Sequence, residues 1–243
     1  SPFNRCYSPW FGFDLQRDTR DNIVMPTGGY KLDLTTKFTP IKFDSDFSEF
    51  FKFEASAQHY LPVIGNDTLV WYNQLKGGLV RGEKIPYLEL FHMGGDDSVR
   101  GFAKGSVGPK VDVLNFPMGA KNAVQWNTEL RFPIVRTASL FGYVFHDTGA
   151  GWNELDMSYF KGTKKKDADK DSAKTEKVKA AKDSKMFPGF NVKDENITLR
   201  NSFGAGLMLR RGAFVSKAEL CCRIEQINDA YSPELSWKLG FVW

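Results

Sequence analysis

Apolar and polar residues alternate with a period of two along most of the 243-residue chain. The segments GYKLDLTTKF, AVQWNTELRFPI and ELSWKLGFVW each place an apolar side chain at nearly every second position, with polar or charged side chains between them. This alternation is typical of β-strands that have one apolar and one polar face. We therefore predict an all-β protein with about nine antiparallel strands. The predicted strands cover residues 8–17, 28–39, 49–62, 67–81, 121–133, 137–152, 197–210, 212–227 and 233–243.

The length of the predicted strands bears on the environment of the sheet. Many reach about ten residues, which suits a tilted strand crossing a bilayer better than the roughly 5–6 residues usual in soluble sheets. In a soluble sheet the polar face meets water, whereas in a membrane barrel the polar face lines the lumen and the apolar face meets lipid. Both arrangements produce the same alternation, so the pattern alone leaves both open.

Aromatic residues make up 14% of the chain, and several stand near predicted strand ends. Girdles of Trp and Tyr at the two membrane interfaces produce this distribution. Ordinary core aromatics produce it as well, and composition favours neither interpretation. The residues concerned are Trp10, Tyr60, Trp71, Trp126, Trp152 and Trp243.

One segment, KGTKKKDADKDSAKTEKVKAAKDSK at Lys161–Lys185, interrupts the alternation. It has almost no apolar residues and therefore cannot contribute to a packed core. We predict a solvated, mobile Lys/Asp-rich loop at residues 161–190; a contact of its lysines with nucleic acid or lipopolysaccharide is the alternative. Because this loop supplies much of the formal net charge of +4, the charge does not indicate a nucleic-acid-binding protein.

Residue patterns for catalysis or metal binding are sparse. The three histidines, His59, His92 and His146, are scattered, and the three cysteines lack the spacing of metal ligands. The sequence has no phosphate-binding or nucleophile motif. The glycines of Gly204–Gly206 fall inside a predicted strand, where they favour close strand packing. We therefore expect no enzyme activity, no catalytic residue, no cofactor and no metal site.

The most distinctive stretch is YLELFHMGGDDSVRGFAKGSVGPK, from Tyr87 to Lys110. It contains Gly94–Gly95, then Val99–Phe102 (VRGF), then Val107–Pro109. The order and spacing of these pieces resemble the signature of the BamA-type outer-membrane barrel-assembly superfamily. Upstream, DNIVMPTGGYKLDLTTKF resembles the F-P-T-x-G turn of the same family, with Met25 at a position where an aromatic is common.

The last predicted strand resembles the β-signal of outer-membrane proteins. Apolar residues alternate up to a final aromatic, and the alternative is any amphipathic last strand. The matching positions are Leu235, Trp237, Leu239, Phe241 and Trp243, with Gly240 between them.

The resemblance implies a transmembrane β-barrel. The family barrel has sixteen strands and follows periplasmic POTRA repeats, so about nine strands imply that residues 1–243 are the C-terminal portion of one longer barrel domain. The resemblance further implies that the VRGF loop, residues 87–120, folds back into the barrel lumen.

The resemblance also assigns roles to residues. In the family, an acidic residue on each of the two strands after the loop pairs with the loop arginine, and the matching positions here are Glu129 and Asp147. Arg100 would bind both carboxylates as a structural lock. Val99, Gly101 and Phe102 would shape and anchor the loop tip. The alternative is that Arg100 contacts a phosphate or a partner at the surface.

The function implied by the resemblance is the folding and insertion of other β-barrel proteins into the outer membrane of a bacterium or an organelle. A lateral gate at the last strand, residues 233–243, would receive the incoming chain. The implied partners are the lipid bilayer, unfolded outer-membrane proteins and accessory subunits of an assembly complex, without nucleic acid or cofactor. The alternatives are a protein-translocating pore of the same superfamily (two-partner secretion or TamA-like) and a soluble β-barrel binding module.

Overall fold

The computed structural model describes residues 9–39, 49–82, 85–111, 116–153, 192–193, 197–211, 214–224 and 240–242. The strands are β1 (Phe11–Asp18), β2 (Gly29–Phe38), β3 (Phe50–Ile64), β4 (Leu69–Gly82), β5 (Lys110–Val111), β6 (Phe116–Pro117), β7 (Asn122–Val135), β8 (Leu140–Trp152), β9 (Val192–Lys193), β10 (Arg200–Arg211), β11 (Phe214–Ile224) and β12 (Gly240–Val242). A short helix, α1 (Gly65–Thr68), joins β3 to β4, and a 3₁₀ turn spans Tyr87–Glu89. Within these ranges, no helix has both the length and the apolar character needed to cross a membrane.

Nine of the strands form one antiparallel sheet in the order β1-β2-β3-β4-β7-β8-β10-β11-β12. Each corresponds to one predicted strand, so the all-β prediction is confirmed. The short strands β5, β6 and β9 form a separate three-stranded sheet, which the alternation did not predict. Of the last predicted strand, only β12 is described, and the predicted Lys/Asp-rich loop at residues 161–190 lies outside the described residues.

The two faces of the main sheet differ in character, as β7 illustrates. Gln125, Asn127 and Glu129 are buried on one face, which we call the inner face, while Trp126 and Leu130 are exposed on the other. The same outward face carries exposed large apolar side chains along the rest of the sheet. They include Phe13, Leu32, Phe51, Trp71, Val144, Phe203 and Leu220. An apolar face of this extent is the lipid-facing surface of a membrane barrel and the reverse of a soluble one.

The connections at the two ends of the sheet differ in length. At one end, called here the turn end, neighbouring strands are joined by residues 19–28, 65–68, 136–139 and 212–213. At the opposite end, the loop end, the connections include residues 83–121 and 153–199. Transmembrane barrels have short periplasmic turns and longer extracellular loops. Short connections of this kind favour the turn end as the periplasmic side of a barrel.

Aromatic side chains on the inner face of β8 lie against glycines of β10. Tyr143 pairs with Gly206 and Phe145 pairs with Gly204. A Cβ atom added to Gly206 would lie 2.5 Å from Cζ of Tyr143, and one added to Gly204 would lie 2.6 Å from Cζ of Phe145. The glycines thus provide the close strand packing that the sequence predicted for Gly204–Gly206.

Replacing Gly206 with alanine should destabilise the sheet. The new methyl group would collide with the Tyr143 ring. It would also lie 2.9 Å from the carbonyl oxygen of Ala218. Overpacking of this kind costs about 1–3 kcal/mol. The matched control is Gly77→Ala on β4, whose new Cβ would lie 3.5 Å from its nearest neighbour. We expect a lower urea midpoint for Gly206→Ala in a gel-mobility assay of the folded barrel; equal midpoints for both variants would contradict the assignment.

Candidate functional site

The connection between β4 and β7 packs on the inner face of the sheet. We call its described residues, 85–111 and 116–121, the loop. Isolated β-bridges pair Phe91 with Ala120 and Met93 with Val107, so the loop doubles back on itself. The hydroxyl of Tyr87 donates a hydrogen bond to the Pro117 carbonyl at 2.9 Å. The loop is therefore a structured insert held by its own backbone.

An apolar cluster attaches the loop to β8. Val99 is fully buried, and a Cβ atom added to Gly149 of β8 would lie 2.8 Å from its Cγ2 atom. Gly149 thus leaves the space that Val99 occupies. The buried members of this cluster are Met93, Val99, Phe102 and Val107.

Arg100 makes its most extensive contact with Asp147 of β8. The Nε atom donates to Oδ2 of Asp147 at 2.7 Å, and Nη2 donates to Oδ1 at 2.8 Å. The backbone N–H of Arg100 also donates to Oδ2, at 3.1 Å. Asp147 has no exposed surface. This bidentate geometry is the strongest arrangement of a guanidinium with a carboxylate.

Two further carboxylates meet the remaining side of the guanidinium. The Nη1 atom of Arg100 donates to Oε1 of Glu129 on β7 at 2.8 Å and to Oε1 of Glu219 on β11 at 3.3 Å. Carboxylates from β7, β8 and β11 therefore converge on one loop side chain.

Aromatic side chains of β8 complete the surroundings of Arg100. The Cζ atom of Arg100 lies 3.6 Å from the centroid of the Phe145 ring, in the geometry of a cation–π contact. The hydroxyl of Tyr143 donates a hydrogen bond to Glu219. These contacts explain why aromatic rings stand on the inner face of β8.

A second arginine shares the carboxylate of Glu129. Arg131 Nε donates to Oε2 of Glu129 at 2.8 Å. Its Cζ atom lies 4.5 Å from the Tyr72 ring centroid and 5.6 Å from that of Tyr60. Tyr60 is only 6% exposed on the inner face, so its interpretation as a girdle residue is wrong. Trp10, Trp71 and Trp126 are exposed, which excludes the core interpretation for these three residues. Trp152 is partly buried, and Trp243 lies outside the described residues.

Backbone groups of the loop tip are bound by amide side chains of β7. Asn127 Nδ2 donates to the Ser98 carbonyl at 2.6 Å, and Gln125 Nε2 donates to the Asp97 carbonyl at 3.2 Å. Gly101, which follows Arg100 at the loop tip, has a φ of 85°. This is a left-handed conformation that favours glycine. The tip is thus fixed by its backbone as well as by Arg100.

The charges at the site are buried together. Arg100 and Arg131 face three carboxylates, those of Glu129, Asp147 and Glu219. Burial alone would lower the pKa of Arg100, but the hydrogen bonds with Asp147 and the negative charges of Glu129, Asp147 and Glu219 raise this pKa above its ordinary value. The guanidinium therefore stays charged, and removing Arg100 would leave buried carboxylates without their counter-charge.

The structure brings together Arg100, Glu129 and Asp147, which the sequence had singled out. Val99 and Phe102 are buried beside them. Sequence reasoning missed Glu219 and Arg131 as members of the site. Both occupy the polar register of their predicted strands, and that register was the available signal.

The predicted β-signal residues are only partly described. Gly240 and Phe241 lie in β12 and pair with Lys217 and Ser216 of β11. The others, Leu235, Trp237, Leu239 and Trp243, lie outside the described residues.

A sheet with an outward apolar face and an arginine-bearing loop on its inner face defines a class of outer-membrane β-barrels. Residues 10–243 match the Omp85 superfamily domain, and the chain belongs to this superfamily. Its location is the bacterial outer membrane.

Within the superfamily, the chain is similar to BamA proteins. It is 28% identical over 149 residues to the outer membrane protein assembly factor BamA of Neisseria meningitidis serogroup B, an alignment that covers 56% of this chain and 18% of that protein. Its fold matches the crystal structure of BamA from Haemophilus ducreyi lacking POTRA domains 1–3, with a TM-score of 0.64 and 18% identity. That match covers 96% of this chain and 40% of the other. The chain thus spans well under half of either relative.

Removing the Arg100 side chain should destabilise the folded barrel strongly. Arg100→Ala leaves Asp147 and Glu129 buried beside an empty space, and breaking a buried ion pair in this way costs about 3–5 kcal/mol. Arg100→Lys should fall between Arg100→Ala and the unaltered protein, because an ammonium group cannot form the bidentate contact. The measurement is the urea midpoint of the gel-mobility transition.

The matched control is Arg136→Ala, which removes an exposed arginine bound to Thr68 in a turn. Surface substitutions usually change stability by less than about 0.5 kcal/mol. The buried network would have no stabilising role if Arg100→Ala and Arg136→Ala unfolded at the same urea concentration.

Proposed function

We propose that this chain is the C-terminal part of a protein that folds β-barrel proteins and inserts them into the outer membrane. The observation that carries the proposal is the binding of Arg100 by carboxylates on β7, β8 and β11. In the closed barrel, the loop would occupy the lumen, and this network would lock it to the wall. The lock is a structural role and involves no chemical reaction, catalytic residue or cofactor.

The strands that the lock joins suggest that β12, which lies beyond them in the sheet, can move separately. The network joins strands on both sides of β10, because Asp147 and Glu219 lie on its two neighbours. Buried and mutually bonded polar groups rigidify the elements that carry them. The wall from β7 to β11 would therefore move as one unit, and β12 would be the first strand outside it.

The terminal strand is suited to receive another chain. In the described part of the sheet, β12 is the last strand in the order and pairs with β11 through Val215–Val242, Ser216–Phe241 and Lys217–Gly240. A strand at the edge of a sheet offers backbone donors and acceptors to an incoming strand. We infer a lateral gate at residues 233–243, where an unfolded outer-membrane protein would add its strands.

The partners follow from the same arrangement. Unfolded outer-membrane proteins would bind at the gate, and lipid would contact the outward apolar face. Accessory subunits of an assembly complex would contact the periplasmic side of the longer protein, where the turn end lies. Strand pairing and burial of apolar surface would supply the free energy of insertion.

Loss of the lock should impair assembly in the full-length protein. We expect Arg100→Ala to reduce the rate at which an unfolded barrel substrate folds in proteoliposomes by about tenfold or more. A tenfold change corresponds to a free energy of only about 1.4 kcal/mol. Arg136→Ala is the matched control and should fold substrate at the unaltered rate. If Arg100→Ala assembled barrels normally but failed to secrete a partner polypeptide, the translocating pore would replace our proposal.

The gate can be tested with disulfides that link β12 covalently to the strand on one side or on the other. In a background without the three native cysteines, a disulfide between Ser216→Cys and Phe241→Cys would join β12 to β11. We expect this protein to assemble substrate normally, because the β11 side of β12 is not the gate. A disulfide from residue 241 to the first strand of the full-length barrel should abolish assembly until a reductant is added. Normal assembly by both disulfide-linked proteins would exclude a lateral gate at β12.

A further inference from the structure

The turn between β1 and β2, residues 19–28, extends across the inner side of the sheet. Met25 packs against a buried cluster contributed by strands far from its own. In the strand order, β3, β4 and β7 stand between β2 and the nearest strand of this cluster. Curvature of the sheet therefore lets the turn span its interior. The cluster consists of Tyr143, Phe145, Met208, Val215 and Cys221, with Phe141 packed against it.

Side chains at the start of the turn hold its conformation. The Asp21 carboxylate accepts hydrogen bonds from the backbone N–H of Thr27 at 2.9 Å and of Gly28 at 3.2 Å, and from the Thr27 hydroxyl. The Asn22 Oδ1 atom accepts from the backbone N–H of Met25 at 3.1 Å. Burial would raise the pKa of Asp21, but these donors hold it below its ordinary value, so the carboxylate stays ionised.

The two sides of the turn have opposite environments. Ile23 is 80% exposed, whereas Pro26 is buried and Met25 is partly buried. One cavity of about 460 Å³ lies beside the loop. A separate cavity of about 360 Å³ lies at the turn end. The second cavity is lined by the turn together with Arg131 and Phe141. The turn thus approaches the arginine network from the end opposite to the loop.

We propose that residues 19–28 form a second insert, which closes the interior at the turn end, with Met25 and Pro26 as its apolar wedge and Asp21 as the residue that positions the wedge. This inference rests on the contacts of the turn and does not depend on the proposed assembly function. The buried cluster on which Met25 packs also contains Cys221. A Cβ atom on Gly101 of the loop would lie 3.4 Å from the Sγ atom of Cys221.

The thiol of Cys221 therefore reports on the second insert. The experiment uses the full-length protein in proteoliposomes, with Cys6→Ser and Cys222→Ser so that Cys221 is the remaining thiol of this segment, and a membrane-impermeant maleimide. Cys221 is 1% exposed, so labelling should be slow. Met25→Asp and Asp21→Ala should each raise the labelling rate by about tenfold or more, because a locally opened segment exposes what it covers.

Controls separate a wedge from a general loss of structure. Met25→Leu keeps the apolar volume and should label as slowly as the unaltered protein. Ile23→Asp places the same charge on the exposed side of the same turn and should also label slowly. Arg100→Ala is the positive control, since displacing Gly101 uncovers Cys221 from the loop side. Gel mobility identifies folded protein in every sample.

The result that supports the proposal is fast labelling of folded Met25→Asp with slow labelling of folded Ile23→Asp. Slow labelling of folded Met25→Asp would overturn it, and so would equal rates for the two aspartate variants. If Met25→Asp does not fold, Asp21→Ala decides in its place, because it keeps Met25 and Pro26 and removes the carboxylate that accepts from the backbone of Thr27 and Gly28. Slow labelling of folded Asp21→Ala would then overturn the proposal.

Discussion

The cost of burying a guanidinium determines the arrangement of the inner face. A charge removed from water is stable only when counter-charges and hydrogen bonds surround it. Arg100 is 6% exposed, and its Nε, Nη1 and Nη2 atoms all reach carboxylate oxygens. The positions of β7, β8 and β11, the left-handed backbone at Gly101 and the glycines that admit the loop all serve this requirement.

The loop gives a membrane protein a local interior of the kind found in soluble proteins. Inner-face residues of a transmembrane barrel are ordinarily polar because they face water. Where the loop covers β8, Tyr143 and Phe145 are buried and pack against the arginine network. The inner face is therefore not uniformly polar, because aromatic rings of β8 stand there where the loop covers the sheet.

The strand layout was predictable because a period of two is a local property of the chain. Glu129 and Asp147 were predictable from the family resemblance and from their position after the loop. Glu219 was not, because its approach to Arg100 depends on how far the sheet curves between β8 and β11. The packing of Met25 depends on the same curvature, which joins residues far apart in strand order and leaves no periodic signal.

The spacing of the carboxylates along the chain has a consequence for folding order. Glu129 follows Arg100 by 29 residues, Asp147 by 47 and Glu219 by 119. Closing a longer loop costs more conformational entropy, so contacts between distant segments form more slowly. A loop that docks before β11 is in place would bury its guanidinium with only part of its counter-charge. The complete set of carboxylates thus surrounds Arg100 only once β11 has joined the sheet, so the loop reaches its full stability late in folding.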